Sequence, residues 1–204
     1  MTALSIADLP PGLADPVHHA QQVFRLVLDA MARPGRVMAL DPKVVTPPAG
    51  LGAAAAAVLL TVADADVRVW LHTTCDAGPL AAWLRFHTGA RVVASASEAD
   101  WLVLPATEAN AAVWSLAHAG TDEAPHTAAT VLVDAPAFDH GPRLTLRGPG
   151  IEHTHTLQVG GVDTGFWLDR IAREPDFPRG ADLVVTAGHR VAALPRSTRI
   201  TLED

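Results

Sequence analysis

The sequence predicts an α/β fold in which helices sandwich a mixed β-sheet of about seven strands. Segments with helical and with strand periodicity alternate over the first half of the chain, and strand patterns dominate the second half. The stretches rich in proline and glycine are too short to link separate domains, and we find no internal repeat. We therefore expect one domain over residues 1–204.

Five segments are typical of helices. In the first, Asp15 suits the N-cap and Pro16 the first helical position, and Pro34 ends the helix at the preceding residue. Its apolar face is formed by four residues at helical spacing, Phe24, Val27, Leu28 and Met31. The other predicted helices cover residues 51–61, 80–88, 107–118 and 164–173.

The predicted strands are short apolar or alternating segments bounded by turn residues. They cover residues 36–40, 67–71, 91–96, 101–104, 130–134, 143–147, 156–159, 182–186 and 190–194. Residues 101–104 are apolar on both faces, which indicates a central strand. The last two strands suit a closing hairpin around Gly188.

Composition argues against several classes of function. The chain has 15 basic and 22 acidic residues and a net charge of -7, whereas a general nucleic-acid binder needs a basic surface. No apolar stretch approaches the roughly 20 residues of a membrane span, and residues 1–11 lack a signal-peptide pattern. The lone Cys75 cannot form an internal disulfide. We therefore expect a cytoplasmic protein with no membrane or nucleic-acid partner.

The chain has no tyrosine and a single lysine. Lys43 is its only lysine, and it stands in a segment that reads as an exposed connection before Pro47 and Pro48. Schiff-base chemistry needs a lysine amine held in a pocket. We therefore expect no pyridoxal-phosphate cofactor.

Arg85 and His87, near the end of a predicted helix, are candidates for an anion or phosphate site. Arginine offers a fork of donors, and histidine exchanges a proton near neutral pH. Alternatively, the same two residues offset the helix dipole and cap its last carbonyl groups. Arg147, before the turn 148–150, and Arg33, at the end of the first helix, are further candidates, and a tight turn or surface solvation is their alternative.

His153 and His155 raise the possibility of a metal site. If they lie in one strand, both imidazoles lie on the same face. A third ligand is not evident, since Asp163 and His140 are only distant options, and we therefore expect no metal. Cys75 lacks an activating neighbour and reads as an incidental thiol.

Several segments, in this order along the chain, carry a resemblance to a known family. They are Phe24–Gly35, Val58–Asp64, Val69–Leu71, Leu84–Thr88, Leu144–Ile151, Phe177–Leu183 and Leu194–Thr198. Together they resemble the H subunit of the bacterial phosphonate carbon–phosphorus lyase system, the PhnH-type proteins.

This resemblance implies a fold similar to the large domain of pyridoxal-phosphate-dependent transferases, without the cofactor site, and a homodimer. It also implies partners, the G, I and L subunits of the same system. There, an alkylphosphonate displaces adenine from MgATP to give α-D-ribose 1-alkylphosphonate 5-triphosphate, and the chemistry is placed on the I subunit.

Three hypotheses of function follow. The first is an accessory subunit of this multisubunit transferase, with no demonstrable catalytic residues of its own and with alanine-rich surface helices as its interface. The second is a stand-alone phosphate- or nucleotide-binding module that uses Arg85 and His87. The third is a metal-dependent enzyme built on His153 and His155.

Overall fold

The computed structural model describes residues 9–75 and 77–203, so residues 1–8, on which the signal-peptide prediction mainly rests, lie outside it. Its strands are β1 Met38–Ala39, β2 Arg68–Leu71, β3 Arg91–Val92, β4 Trp101–Pro105, β5 Thr130–Asp134, β6 Arg143–Arg147, β7 His155–Gln158, β8 Asp182–Ala187, β9 Arg190–Leu194 and β10 Arg199–Glu203. Its α-helices are α1 Pro16–Ala32, α2 Ala53–Val62, α3 Ala77–Thr88, α4 Ala112–Leu116 and α5 Thr164–Ala172.

Seven strands form one mixed sheet in the order β1-β9-β8-β5-β4-β2-β3. Strands β3, β2, β4, β5 and β8 are parallel, β9 is antiparallel to β8, and β1 is antiparallel to β9. The predicted mixed sheet of about seven strands is confirmed. The predicted central position of residues 101–104 is also confirmed, because β4 lies between β2 and β5.

A second sheet was not predicted. Strands β6 and β7 pair with β10 in a separate antiparallel sheet of order β10-β6-β7, and β10 itself was missed. Side chains alternate across the main sheet, so that Val103 faces one core while Leu102 and Leu104 face the other. Helices α1, α2 and α3 cover the first face, whereas α4, α5 and the three-stranded sheet cover the second. Helices alone therefore do not sandwich the sheet.

Helix α1 begins as predicted, with the Asp15 side chain accepting a hydrogen bond from the His18 N–H. The predicted apolar face of α1 only partly coincides with the face that is buried in the structure. Val27 and Met31 pack against the core, but Phe24 and Leu28 are exposed.

Helix α2 is alanine-rich but is not a surface helix. All residues from Ala53 to Leu59 are buried in the first core, so the prediction that an alanine-rich helix provides an interface is wrong for α2. The small side chains allow this helix to pack closely against α1 and β8.

The helix predicted over 107–118 is also wrong. A 3₁₀ turn at Ala106–Glu108 precedes the five-residue α4. Between them, the Asn110 side chain donates to the Glu108 carbonyl oxygen and accepts from the Ala112 N–H. Such local bonds compete with helical hydrogen bonds. None of the helices in the described part of the chain is long and apolar enough to cross a membrane.

Candidate anion-binding site

Arg85 and His87 lie at the carboxyl end of α3, where both have intramolecular partners. His87 Nε2 lies 3.0 Å from the carbonyl oxygen of Pro10, to which it donates, and its ring packs edge-on against Trp83. Arg85 Nη2 donates to the Val92 carbonyl oxygen over 3.3 Å. The histidine thus links α3 to the segment at Pro10 through a hydrogen bond. The arginine side chain remains exposed.

Arg33 and Arg147 lie in two different cavities beside the turn between β6 and β7. Arg33, which forms an ion pair with Asp29, lines an open cleft together with Gly150 and His155. Arg147 lines a separate cavity together with Gly148. Neither of these two cavities is lined by Arg85 or His87. The four predicted anion ligands therefore occupy three places.

His153 and His155 do not share a strand face. His153 is exposed in the turn before β7, near Glu152, whereas His155 begins β7 and its Nδ1 lies 2.8 Å from the Pro34 carbonyl oxygen. Among residues 9–75 and 77–203, no group of three or more His, Cys, Asp or Glu side chains is placed to hold a metal ion.

Two neighbouring cavities at the end of α5 are lined by several arginines. The first, here the Trp114 cavity, has a volume of about 190 Å³ and is lined by Trp114 and by Arg170, Arg173, Arg179 and Arg196. The second, here the Arg147 cavity, has a volume of about 360 Å³ and is lined by Arg147, Arg196 and Arg199, with Glu174, Phe177 and Ser197 among the other lining residues.

The arginines of the Trp114 cavity are largely neutralised by carboxylates. Arg196 donates two hydrogen bonds to the Asp182 carboxylate, of 3.1 Å from Nε to Oδ1 and 2.7 Å from Nη2 to Oδ2. Arg173 Nε lies 2.7 Å from Asp169 Oδ2, and Arg179 lies near Asp122 and Asp176. These ion pairs leave little free positive charge for a ligand in this cavity.

Arg170 is a structural residue between the two cavities. Only 4% of it is exposed, and its Nη2 atom faces the carbonyl oxygens of Pro195, Arg196 and Thr198 at 3.0–3.4 Å. Burial lowers the pKa of this guanidinium, although Glu174 and Asp182 oppose that shift. Its donors hold the segment 195–198, which forms one wall of the Arg147 cavity.

A third group of polar residues lies at the carboxyl edge of the main sheet. The strand order reverses between β2 and β4, the position at which open α/β sheets commonly bind ligands. There His72 Nε2 lies 3.8 Å from Glu108 Oε2. Neither residue was among the predicted site residues, although each follows a predicted strand closely. That position is the signal that would have identified them.

Nearby Cys75 and Asp134 are engaged in the fold. Burial, together with the charges of Asp134 and Glu108, raises the pKa of Cys75 to about 11, so the thiol is protonated at neutral pH. Asp134 accepts hydrogen bonds from the Gly52 N–H at 2.6 Å and from the Thr186 hydroxyl at 2.8 Å. Its pKa is raised by burial, which these bonds partly offset.

Comparison with known proteins identifies the family. A family model described as "Bacterial phosphonate metabolism protein (PhnH)" matches residues 11–201. The chain belongs to the PhnH family. This membership confirms the resemblance inferred from the sequence.

Two relatives are similar to this protein over nearly the whole chain. The "Alpha-D-ribose 1-methylphosphonate 5-triphosphate synthase subunit PhnH" of Rhizobium meliloti (strain 1021) is 38% identical over 192 residues, which are 93% of this chain and 94% of the relative. The "Putative C-P lyase subunit protein HtxG" of Stutzerimonas stutzeri is 36% identical over 184 residues, which are 90% and 86% of the two chains.

Three segments that carry the resemblance to PhnH proteins meet around the Arg147 cavity. Arg147, Gly148 and Pro149 belong to the segment 144–151, Phe177 to the segment 177–183, and the residues 196–198 to the segment 194–198. These segments are far apart in the sequence and come together only in the fold.

Proposed function

We propose that this protein is an accessory subunit of α-D-ribose 1-methylphosphonate 5-triphosphate synthase. It supports the formation of α-D-ribose 1-alkylphosphonate 5-triphosphate from MgATP and an alkylphosphonate, with release of adenine. The observation that carries this proposal is the R. meliloti relative of that name, because its 38% identity extends over 94% of its own length.

The proposal includes the partners of the protein and its place in the cell. It acts in the cytoplasm as a homodimer, with the G and I subunits and the wider carbon–phosphorus lyase complex. An exposed apolar stripe on α1 supports protein contacts. Val17, Phe24 and Leu28 are 76%, 54% and 58% exposed and, at i, i+7 and i+11, lie on one face of the helix.

The proposed role needs no pyridoxal phosphate, although the fold is proposed to resemble the large domain of transferases that use this cofactor. The mixed seven-stranded sheet supports that likeness. Lys43, the only lysine, supports the loss of cofactor chemistry. It lies exposed in a turn in which its backbone N–H donates to Asp41 Oδ1.

Adenine release tests the proposed function. The protein is titrated into a fixed amount of the purified partner subunits with MgATP and methylphosphonate, and adenine is measured by chromatography. We expect the rate to rise with added protein and to reach a plateau at a fixed stoichiometry. A mixture without methylphosphonate is the control for simple nucleotide hydrolysis. A rate that does not respond to this protein would count against the subunit role.

The alternative is a stand-alone phosphate- or nucleotide-binding module. One observation favours it: the Arg85 side chain is exposed, and within residues 9–75 and 77–203 its guanidinium forms a single hydrogen bond, of 3.3 Å. Calorimetry of the isolated chain with MgATP distinguishes the two. Heat that disappears in the Arg85→Ala variant would favour the module, and no heat would remove it.

A further inference from the structure

We propose that Arg147 and Arg199 form a binding site for a phosphoryl or phosphonyl group in the Arg147 cavity. This inference goes beyond the proposed subunit role, because it concerns a ligand that the isolated chain binds by itself. It also differs from the predicted site at Arg85 and His87, since neither of those residues lines this cavity.

Two like charges face each other at the cavity end of one strand pair. In the antiparallel pair of β6 and β10, Arg199 lies directly opposite Arg147. Residues directly opposite each other project from the same face of the sheet, where like charges are destabilising. An anion held between two such guanidinium groups turns this repulsion into attraction.

At the other end of the same strand pair, the two opposite residues carry opposite charges. There, Arg143 lies opposite Glu203, and Arg143 Nε is 3.1 Å from Glu203 Oε2. One end of the ladder thus carries a complementary charge pair, and the end at the cavity carries two cations.

Neither guanidinium group has a carboxylate partner within residues 9–75 and 77–203. Arg147 and Arg199 are exposed, and neither forms an ion pair with any carboxylate in the described part of the chain. Arg196, which also lines the cavity, is committed to Asp182. The one carboxylate among the lining residues, Glu174, accepts the Ile200 N–H at 2.6 Å. Two cations therefore remain available in a chain whose net charge is -7.

The size and the lining of the cavity suit a small organic ligand. Its volume of about 360 Å³ lies within the roughly 300–1,000 Å³ typical of small-molecule sites. Ser197 adds a hydroxyl group, and Thr198 carries a buried hydroxyl with no hydrogen-bond partner in the described structure. Phe177, 60% exposed, and Pro149 form an apolar wall.

This lining indicates the class of ligand. Two arginine forks can each donate two hydrogen bonds to a tetrahedral oxyanion. The apolar wall of Phe177 and Pro149 lies beside them and suits the organic substituent of a phosphate ester or a phosphonate. The shared chemistry is the PO₃ group, which inorganic phosphate, an alkylphosphonate and a nucleotide all carry.

Titration calorimetry of the isolated full-length chain at low ionic strength, in a buffer free of phosphate, tests the site. The probes are inorganic phosphate, methylphosphonate and MgATP, measured separately. We expect at least one to bind, and we expect Arg147→Ala and Arg199→Ala each to weaken that binding by about tenfold or more, because each removes a charge-assisted contact. The tightest probe then identifies the source of the group.

The matched control is Arg143→Ala, which removes an exposed arginine from the same strand and leaves the cavity intact. We expect its affinity to stay within about twofold of the wild-type affinity. A second variant, Arg199→Glu, tests the repulsion itself: it places an acid opposite Arg147, so binding is lost while the melting temperature does not fall.

The proposal is overturned if none of the three probes binds the wild-type chain at millimolar concentration. It is also overturned if Arg143→Ala weakens binding as much as Arg147→Ala. Neither result would affect the subunit role, because adenine release and complex formation are measured with the partner subunits present.

Discussion

Asp134 joins three elements through one partly buried carboxylate. It ends β5, accepts the Gly52 N–H at the start of α2 and accepts the Thr186 hydroxyl from β8. Burial raises its pKa above the ordinary carboxyl value. The residue therefore contributes to the fold by accepting hydrogen bonds from α2 and β8.

Removal of this acceptor is expected to destabilise the protein. Asp134→Ala leaves two donors without a partner, which costs about 1 to 3 kcal/mol of the free energy of unfolding. Asp134→Asn keeps one acceptor oxygen and is expected to lose less. Urea denaturation measures both, and an Ala variant as stable as the wild type would contradict the role.

The raised pKa of Asp134 leads us to expect that the free energy of unfolding depends on pH, with a definite sign. Because folding raises the pKa of Asp134, its protonated form is favoured in the fold. Its stabilising effect is complete below the ordinary pKa and is lost as pH rises through the raised value. The stability of the wild type relative to Asp134→Asn should therefore fall over that interval, and a constant difference would contradict the shift.

At the scale of elements, the exposed stripe on α1 leads to a mutational prediction. Phe24→Glu places a charge within the stripe without touching the core, because Phe24 is 54% exposed. We expect the variant to fold normally and to weaken association, with partner subunits or with itself, by about tenfold or more. Light scattering and co-elution measure this.

The matched control for that variant is Gln22→Glu, an exposed polar position on the same helix. It adds the same charge outside the apolar stripe and is expected to associate as the wild type does. Equal weakening by both variants would show that net charge, and not the stripe, controls association.

Local signals predicted elements well where local interactions decide them. Asp15 and Pro16 located the start of α1, and the turn around Gly188 between the segments 182–186 and 190–194 located the β8–β9 hairpin. Strand β10 was missed because its pairing with β6 depends on residues distant in sequence. The same dependence hid the separation of β6 and β7 from the main sheet, since periodicity does not specify the partner of a strand.

At the scale of the whole molecule, the candidate site follows the same rule. Arg147 was predicted as an anion ligand, but Arg199 was not, because only the register of β6 against β10 brings the two together. The Arg147 cavity is likewise assembled from the β6–β7 turn, from residues 174–177 and from residues 196–199. Composition and spacing do not show that these segments meet in the fold. The segments that carry the family resemblance, however, include residues from all three parts of the cavity.

In its proposed function, this PhnH-family protein works as a subunit. Co-expression with the G and I subunits from the same genome, followed by chromatography with light scattering, tests it most directly. We expect a defined complex that contains this chain at a fixed stoichiometry, with a mass equal to the sum of its subunits. A chain that elutes alone, with a complete complex of the other subunits beside it, would contradict the claim.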